Sequence, residues 1–409
     1  MRFYRLLITL LAPLLAGLFL WRRLTGREDA AALRARLTGP PREDGPTLWL
    51  HGASNGELIS ARPLIEALLE RHPRHRLWIT ANTVTGRDLA QGWQLPRTTA
   101  TLAPLDLRWL TRRALRRQNV TAFLTLENEL WPNRLTTCAA RDIPTALIAA
   151  RMSERSARGW SRLPSLAKAA LEPITLLSAQ SAEAERRFRT LGVPEAAIAP
   201  QIDLKALYTP NTDPLPFDLQ TAFPRSNTIL FASTHDGEDA PLLDAFLLAR
   251  EQQPALKAIL APRHPRRADD IARLITERGL TLARRSLGEA PTADIYLADT
   301  MGEMPLWYRL AAVTFIGGSL VDKGGHTPFE PAAYGTAILY GPHLDNFRAA
   351  YEALDTTGGA ALAETPDQIA KAILSHLNGS DMPAKAQAAL ASQTDLDALL
   401  ARLDPLLPR

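Results

Sequence analysis

The stretch FIGGSLVDKGGHTPFEPAAYG, residues 315–335, decides how this chain is read. An apolar run over 311–316 ends at Gly317-Gly318-Ser319. A second glycine pair, Gly324-Gly325, leads into His326, and Pro328 opens a predicted helix that carries Glu330. Strand, glycine-rich loop and helix start is how an α/β protein builds a pocket for an anionic group. Glycines let the backbone come close, and a helix N-terminus offers unpaired N–H groups and the positive end of its dipole. Glu330 near that end would not face a phosphate; it is better placed to accept hydrogen bonds from a ribose or another polyol. The segment points to a nucleotide with a sugar attached.

The same alternation of short apolar runs and helical runs extends outward in both directions. Strands are expected at 228–232, 257–261, 295–298, 312–316 and 337–340, with helices at 236–251, 266–278, 346–354 and 367–377. In the first half, strands are expected at 47–51, 77–80, 98–103, 122–126, 145–149 and 176–179, with helices such as 57–71 and 108–117 between them. The pattern predicts an α/β protein with two parallel, doubly wound, Rossmann-like domains. Its 409 residues are too many for one ordinary core. Between 200 and 227 the pattern breaks down, and Pro210, Pro214, Pro216 and Pro224 mark an interdomain linker. The expected division is 1–25 as an N-terminal anchor, 26–210 as the first domain, 211–226 as the linker and 227–409 as the second domain, which ends in a helical tail. Doubly wound sheets hold ligands beyond the carboxyl ends of their strands. Two of them facing each other would enclose a central cleft.

The N-terminus carries its own signal. From Leu6 to Trp21 every residue but Thr9 is apolar, glycine or proline, and Arg2 and Arg5 precede the run. As a helix this spans ~24 Å, slightly short of a full hydrocarbon core. Arg22 and Arg23 follow with no small-residue cleavage site before them, which argues against a removed signal peptide. Arg22, Arg23, Arg27, Arg34 and Arg36 outnumber Arg2 and Arg5, so the remainder of the chain is expected in the cytoplasm. A spanning or deeply embedded anchor is the first reading; a helix lying in the interface is the second, favoured by Pro13 and the short length. The net charge of +4 rests mostly on arginine and suits anionic lipid or a phosphorylated substrate, with nothing calling for nucleic acid. A lone cysteine, Cys138, excludes an intrachain disulfide framework and a cysteine-based metal site.

Polar residues collect at strand ends. HGASNGE, 51–57, follows the first strand: Gly52, Ser54 and Gly56 make a tight loop, and Glu57 starts the helix. Glu57 is either a capping carboxylate or, at that edge of the sheet, a base that takes a proton from an attacking sugar hydroxyl. LENELWPN, 126–133, places Glu127 and Glu129 before Trp131-Pro132, and Arg151 ends the next strand. Ser54, Gly56, Glu127, Glu129 and Arg151 are the acceptor-side candidates. Arg108, Arg112, Arg113, Arg116 and Arg117 share one helix, as a solvated face or as a contact for lipid headgroups. In the second half, Ser233-Thr234 ends one strand as a hydroxyl pair suited to phosphate. Arg263-His264 ends the next, where the guanidinium can grip a phosphate bidentately. Asn346 stands at a helix start after the last strand. The chain has no GxxxxGK[ST] loop, no HExxH and no paired-aspartate pattern, so neither a P-loop ATPase nor a metal site is expected.

Together these motifs resemble the 3-deoxy-D-manno-octulosonic acid (Kdo) transferases. The resemblance runs over nearly the whole chain: the anchor, HGASNGE, LENELWPN, ARMSERSARGW, RFRTLGV, STHDGE, PRHPRR, DTMGE, GGSLVDKGGHTPFEPAAYG and GPHLDNF. It implies a GT-B fold with the nucleotide bound mainly by the second domain. It further implies an inverting, metal-independent transfer, without cofactor, from CMP-Kdo to a lipid A precursor of the lipid IVA type. Residue by residue, Glu57 matches the family's catalytic base. Arg263 and His264 match its nucleotide-binding P-R-H, and Gly317, Gly318, Ser319, Gly325, His326, Glu330 and Asn346 match its glycine-rich nucleotide loop. Where the family shows G-N-L-K-F-D, this chain has Ile202-Asp203-Leu204-Lys205-Ala206-Leu207. Thr327 replaces an asparagine, Phe329 a leucine, and Asn55 an apolar residue. A divergent paralogue with another activated sugar or lipid acceptor, and a non-catalytic membrane-anchored binding protein, are the alternatives.

Overall fold

The structure, a computed structural model, describes residues 1–409 apart from 39, 40, 43, 378, 392–394, 408 and 409. Two compact units emerge: residues 1–207 with 393–409, and residues 208–392.

The first unit is a six-stranded parallel sheet. Its strands are β1 (Thr47–His51), β2 (Arg76–Ala81), β3 (Thr98–Leu102), β4 (Val120–Leu126), β5 (Thr145–Ala150) and β6 (Leu176–Ala179), in the order β3-β2-β1-β4-β5-β6. Leu48, Trp49 and Leu50 of β1 are all buried, as expected for a strand covered on both faces. The helices that matter for the site are α1 (Arg2–Leu24), α2 (Ala30–Thr38), α3 (Asn55–Arg71), α4 (Val84–Gly92), α5 (Arg108–Arg117) and α6 (Pro132–Ala139). The strand order reverses between β1 and β4. Loops leaving these two strands diverge there and open the crevice where such sheets hold ligands.

The second unit holds a seven-stranded parallel sheet: β7 (Thr228–Thr234), β8 (Lys257–Pro262), β9 (Leu282–Arg284), β10 (Ile295–Leu297), β11 (Val313–Ile316), β12 (Ala337–Tyr340) and β13 (Ala361–Leu362). The order is β13-β12-β11-β7-β8-β10-β9, so the reversal lies between β7 and β11. All eleven expected strands are present, shifted by at most two residues at an end. β9 and β13, of three and two residues, were not expected; edge strands this short carry no periodicity.

Two expectations about organisation need correction. The proline-rich stretch at 211–226 is not a free linker. It includes the helix Phe217–Ala222, and Leu219 and Phe223 are buried in the second unit's core. The Arg225 guanidinium donates to the carbonyls of Arg309, Tyr334 and Gly335 at 3.0, 3.0 and 2.6 Å. The alanine- and leucine-rich tail splits into Met382–Ala391 and Leu396–Leu403, and the second of these belongs to the first unit. Leu399, Leu400 and Leu403 are buried there in the core that holds Leu64 and Leu68, and His72 Nε2 lies 3.0 Å from Asp404 Oδ1. Periodicity revealed the helices; which sheet they cover depends on burial partners hundreds of residues away.

Candidate active site

In the first unit the site gathers at the β1/β4 reversal. Ser54 is the N-cap of α3, in extended conformation, and its hydroxyl accepts the N–H of Glu57 at 3.4 Å. Glu57 Oε2 in turn accepts the N–H of Ala53 at 2.6 Å. Ser54 thus caps one orphan donor of the helix start, while the Glu57 carboxylate reaches back past the N-cap to the chain that enters it. The Glu57 carboxyl is also unusual. Burial, opposed by the Ala53 N–H and reinforced by the charges of Glu127 and Glu129, pushes it up to about 7. A carboxyl that exchanges its proton near neutral pH is suited to general-base work. Gly56 sits in the first turn with open space where a side chain would be.

Glu129 is different. Its Oε2 accepts from Trp131 Nε1 at 2.7 Å, Asn82 Nδ2 at 2.9 Å and His51 Nε2 at 3.1 Å. Burial opposes ionisation, but the hydrogen bonds from His51, Trp131 and Asn82 outweigh it and hold the carboxyl down at about 2. His51 is fully buried, and burial with the nearby Arg134 charge holds it down at about 4. The neutral ring thus carries its proton on Nε2 toward Glu129 and accepts from Thr80 Oγ1, 2.9 Å away, on Nδ1. Glu129, expected as an acceptor contact, is a carboxylate held ionised near neutral pH, with three donors gathered on its Oε2. Its negative charge helps keep Glu57 basic.

Glu127, with φ of +49°, points its carboxylate between Arg151 Nη1 at 3.4 Å and Lys205 Nζ at 3.8 Å. Backbone strain in a non-glycine residue at a strand end is a mark of functional loops. Lys205, not among the expected site residues, is thereby drawn to the Glu127–Arg151 pair. Its own sequence neighbourhood gave no sign of this, since the two glutamate loops lie far earlier in the chain.

In the second unit the loops after β7 and β11 meet at the reversal, as expected, but the glycine loop is not an open phosphate cradle. Glu238, fully buried, places its carboxylate in it. Oε2 accepts the N–H of Gly318 at 2.7 Å and of His235 at 2.8 Å; Oε1 accepts Leu320 at 2.9 Å and Ser319 at 3.0 Å. The Gly317 N–H is bound by the Ala232 carbonyl at 2.8 Å and the Gly325 N–H by the Gly318 carbonyl at 2.8 Å. A Cβ on Gly317 would lie 2.5 Å from the Ser233 carbonyl oxygen, so this glycine serves the crossing of two backbones. Ser319 Oγ donates to Ile316 O and accepts from Gly341 N at 2.8 Å. The expectation that these N–H groups hold a phosphate is thus corrected: the loop's anion is part of the protein. Thr234 is likewise buried, its hydroxyl donating to Asp239 Oδ1 at 2.6 Å. Asn346 Nδ2 donates to the Lys323 and Gly325 carbonyls, at 2.9 and 3.3 Å, and staples the loop.

What the loop displays is a cationic cluster. His235 Nε2 lies 2.9 Å from His326 Nε2, the two rings stack with centroids 5.1 Å apart, and His264 stands edge-on to His235 at 6.0 Å. Burial, then the charges of His235, Arg263 and His264, holds His326 down at about 4. His235 is lowered by burial and by His264, Arg267, Arg263 and Lys323. Arg263 and His264 are exposed at the rim, and Arg267 is tied to Asp239 and to the Thr234 carbonyl. Ser233, half-buried at φ of +57°, is the bulge that ends β7 against β8. Glu330 is half-buried in the short helix Phe329–Ala333, and its charge reaches Tyr208 and Tyr308. Mutually repelling cations around two neutral histidines form a site that gains by binding an anion. Among the described residues, no group of three or more His, Cys, Asp or Glu is gathered as a metal would need.

Two parallel doubly wound sheets, each with polar groups at its reversal point, are the architecture of the GT-B fold. The UDP-GlcNAc 2-epimerase of Neisseria meningitidis shares the fold at a TM-score of 0.60 and 13% identity, over 88% of this chain and all of that one. A putative UDP-N-acetylglucosamine 2-epimerase of Listeria monocytogenes does so at 0.60 and 11%, over 88% of this chain and 95% of that one. At such identities the likeness shows the fold alone. Residues 31–207 match the family model described as 3-deoxy-D-manno-octulosonic-acid transferase. The 3-deoxy-D-manno-octulosonic acid transferase of Bordetella pertussis is 34% identical over 398 residues, covering 89% of this chain and 88% of that protein. The enzyme of that name from Haemophilus influenzae is 31% identical over 340 residues, covering 82% and 80%. This chain belongs to the Kdo transferase family of glycosyltransferases.

Proposed function

We propose that this protein moves Kdo from CMP-Kdo to a glucosamine hydroxyl of a lipid A precursor of the lipid IVA type, with inversion and without a metal. The observation that carries the reading is the Glu57 carboxyl, half-buried at the end of β1 beside Glu127 and Glu129 and pushed up to about 7. The acceptor hydroxyl gives its proton to Glu57 as its oxygen bonds to the anomeric carbon from the face opposite the phosphate. The bond from that carbon to the phosphate oxygen breaks, and its electron pair leaves with CMP. Arg263 and Lys323 supply positive charge for the departing phosphate and His264 a hydrogen-bonding ring, strengthened by a proton taken up on the His235–His326 pair. Glu127 with Arg151 and Lys205, and Ser54 beside Glu57, face the acceptor. Helix α1, long and apolar enough to cross a membrane, holds the enzyme at the inner membrane, with the catalytic units on the cytoplasmic side, where the acceptor lies.

The test is Glu57→Gln assayed for transfer from CMP-Kdo to a tetraacylated acceptor. The amide keeps the acceptor oxygen for the Ala53 N–H but takes no proton, so transfer is expected to fall about 100- to 10,000-fold with the fold intact. Near-parental turnover would remove Glu57 as the base.

A further inference from the structure

Helix α1 lies along the first unit over its whole length. Its half-buried or buried residues are Tyr4, Arg5, Ile8, Ala12, Leu15, Phe19 and Arg22, spaced by threes and fours, which is one continuous stripe. Tyr4 Oη donates to Asp106 Oδ2 at 2.8 Å and Arg5 Nε to Asn133 Oδ1 at 3.4 Å. At the other end, the Arg36 guanidinium covers the Phe19 ring at 4.3 Å, and Arg22 pairs with Glu28 at 3.3 Å. The two ends stand ~27 Å apart by helix rise. A helix held this way cannot cross a bilayer without drawing α5 and α6 in with it. Its opposite face, with Leu6, Leu7, Leu10, Leu14, Leu18 and Trp21, is exposed.

Beside the N-terminal end of α1, the packed pair α5 and α6 encloses a concavity of ≈ 350 Å³ lined by Arg108, Arg112, Arg116 and Arg141, with Thr137 and Ala140. Arg108 and Arg112 are close enough to Arg5 to repel its charge. Arg108, Arg112 and Arg116 recur every four residues, a spacing that sets like charges against one another on a helix face. None of the four pairs with a carboxylate among the described residues. Thr137 is 2% exposed, and its hydroxyl has no hydrogen-bond partner. Four guanidinium groups without a carboxylate partner lining one concavity, with a buried unpaired hydroxyl beside them, are the chemistry of a phosphate site.

We infer that this pocket binds the headgroup phosphate of an anionic membrane lipid, with α1 lying flat in the same bilayer surface rather than crossing it. The inference rests on the membrane placement proposed above and gives it a geometry. The apolar face of α1 enters the acyl boundary, and the pocket opens at headgroup level.

The test uses the full-length protein and vesicles of phosphatidylcholine with or without phosphatidylglycerol. The Arg112→Ala/Arg116→Ala double variant is expected to lose about 30-fold in partitioning to the anionic vesicles and nothing on the neutral ones. Arg113→Ala/Arg117→Ala removes the same charge from α5 outside the pocket and is expected to lose distinctly less. Equal losses would overturn the pocket in favour of a diffuse surface charge. Saturable binding of inorganic phosphate, with no preference for anionic vesicles, would overturn the lipid source. Spin labels on cysteines placed at Leu7, Leu14 and Trp21 are expected at one shallow depth; a steady progression across the bilayer would overturn the flat helix. Native Cys138 does not interfere, being buried with its thiol pushed up to about 12. Transfer to a detergent-dispersed acceptor is expected to be unchanged in both arginine variants. A failed transfer reading would appear in the parent protein itself, separate from any result on vesicles.

Discussion

Glu238 fills the glycine loop that Gly318 begins. Its carboxylate accepts the Gly318 N–H at 2.7 Å and three more backbone donors, at 2.8 to 3.0 Å. The loop has the sequence of an anion cradle and is one, but its anion comes from the loop after β7. The groups proposed to meet the donor lie one layer outward: the charges of Arg263 and Lys323 and the neutral rings of His235 and His326, with Glu238 tying the two loops together behind them.

Glu238→Gln turns one acceptor oxygen into a donor facing N–H groups. Loss of a buried, charge-assisted network of this kind costs about 2–4 kcal/mol. Denaturant unfolding of the full chain should show an early transition for the second unit. Isothermal titration should show weakened CMP binding although Glu238 is buried behind the loop. An unchanged unfolding profile would mean that the four donors find other partners.

Activity should depend on pH through Glu57. A base must be unprotonated, so kcat/KM is expected to rise with pH up to about 7 and level off above it. Stability runs the opposite way. A carboxyl raised from 4.5 to about 7 makes the folded state bind more protons than the unfolded one over that interval, so stability falls as pH rises through it. Glu57→Gln should therefore be less active yet more stable than the parent at pH 8, by on the order of 1–2 kcal/mol after discounting for partial exposure. That gain should vanish near pH 4. Thermal melts at the two pH values, beside the pH–rate profile, check both signs.

The histidine pair should report the donor. His326 is held near 4 and His235 below its usual value, so the unfolded state takes up protons first as pH drops below 6.5, and stability should decline there. A bound phosphate favours the charged rings. CMP should bind more tightly at pH 6 than at pH 8 and take up protons from the buffer. Calorimetry in buffers of different ionisation enthalpy measures this uptake, and a proton count of zero would exclude the pair from the phosphate site.

Two glycines should respond in opposite ways to alanine. Gly317→Ala puts a Cβ 2.5 Å from the Ser233 carbonyl oxygen, against backbone that has no room to move, and the second unit should be severely destabilised or fail to fold. Gly56→Ala meets nothing within 4 Å and restricts the unfolded chain, so a gain of about 0.5–1 kcal/mol is expected. Thermal melts of the two variants decide it.

Much of the fold was legible from local pattern. Buried parallel strands are apolar runs bounded by polar ends, and eleven of them read correctly because both faces are covered. Glu57 was legible because a helix start after the first strand is a place where a carboxylate has a physical reason to be. Arg263 and His264 were legible as polar residues at a strand end. Thr234 looked like a ligand contact for the same reason, yet it is buried and gives its hydroxyl to Asp239; Glu129 Oε2 and Asn346 Nδ2 are likewise bound within the protein.

What the sequence determined by itself was the alternation of strands and helices, the presence of two sheets, the apolar first helix and the set of strand-end residues from which a site would be drawn. These follow from periodicity and from backbone chemistry within a few residues. Tertiary structure alone decided who partners whom. It set Glu238 against Gly318, brought Lys205 to Glu127, returned the helix Leu396–Leu403 to the first unit and laid α1 along its surface. The physical reason is that a buried carboxylate, cation or apolar face must be satisfied by whatever the fold brings near. Such partners stand 80 or more residues apart in the glycine loop, where no local pattern links them.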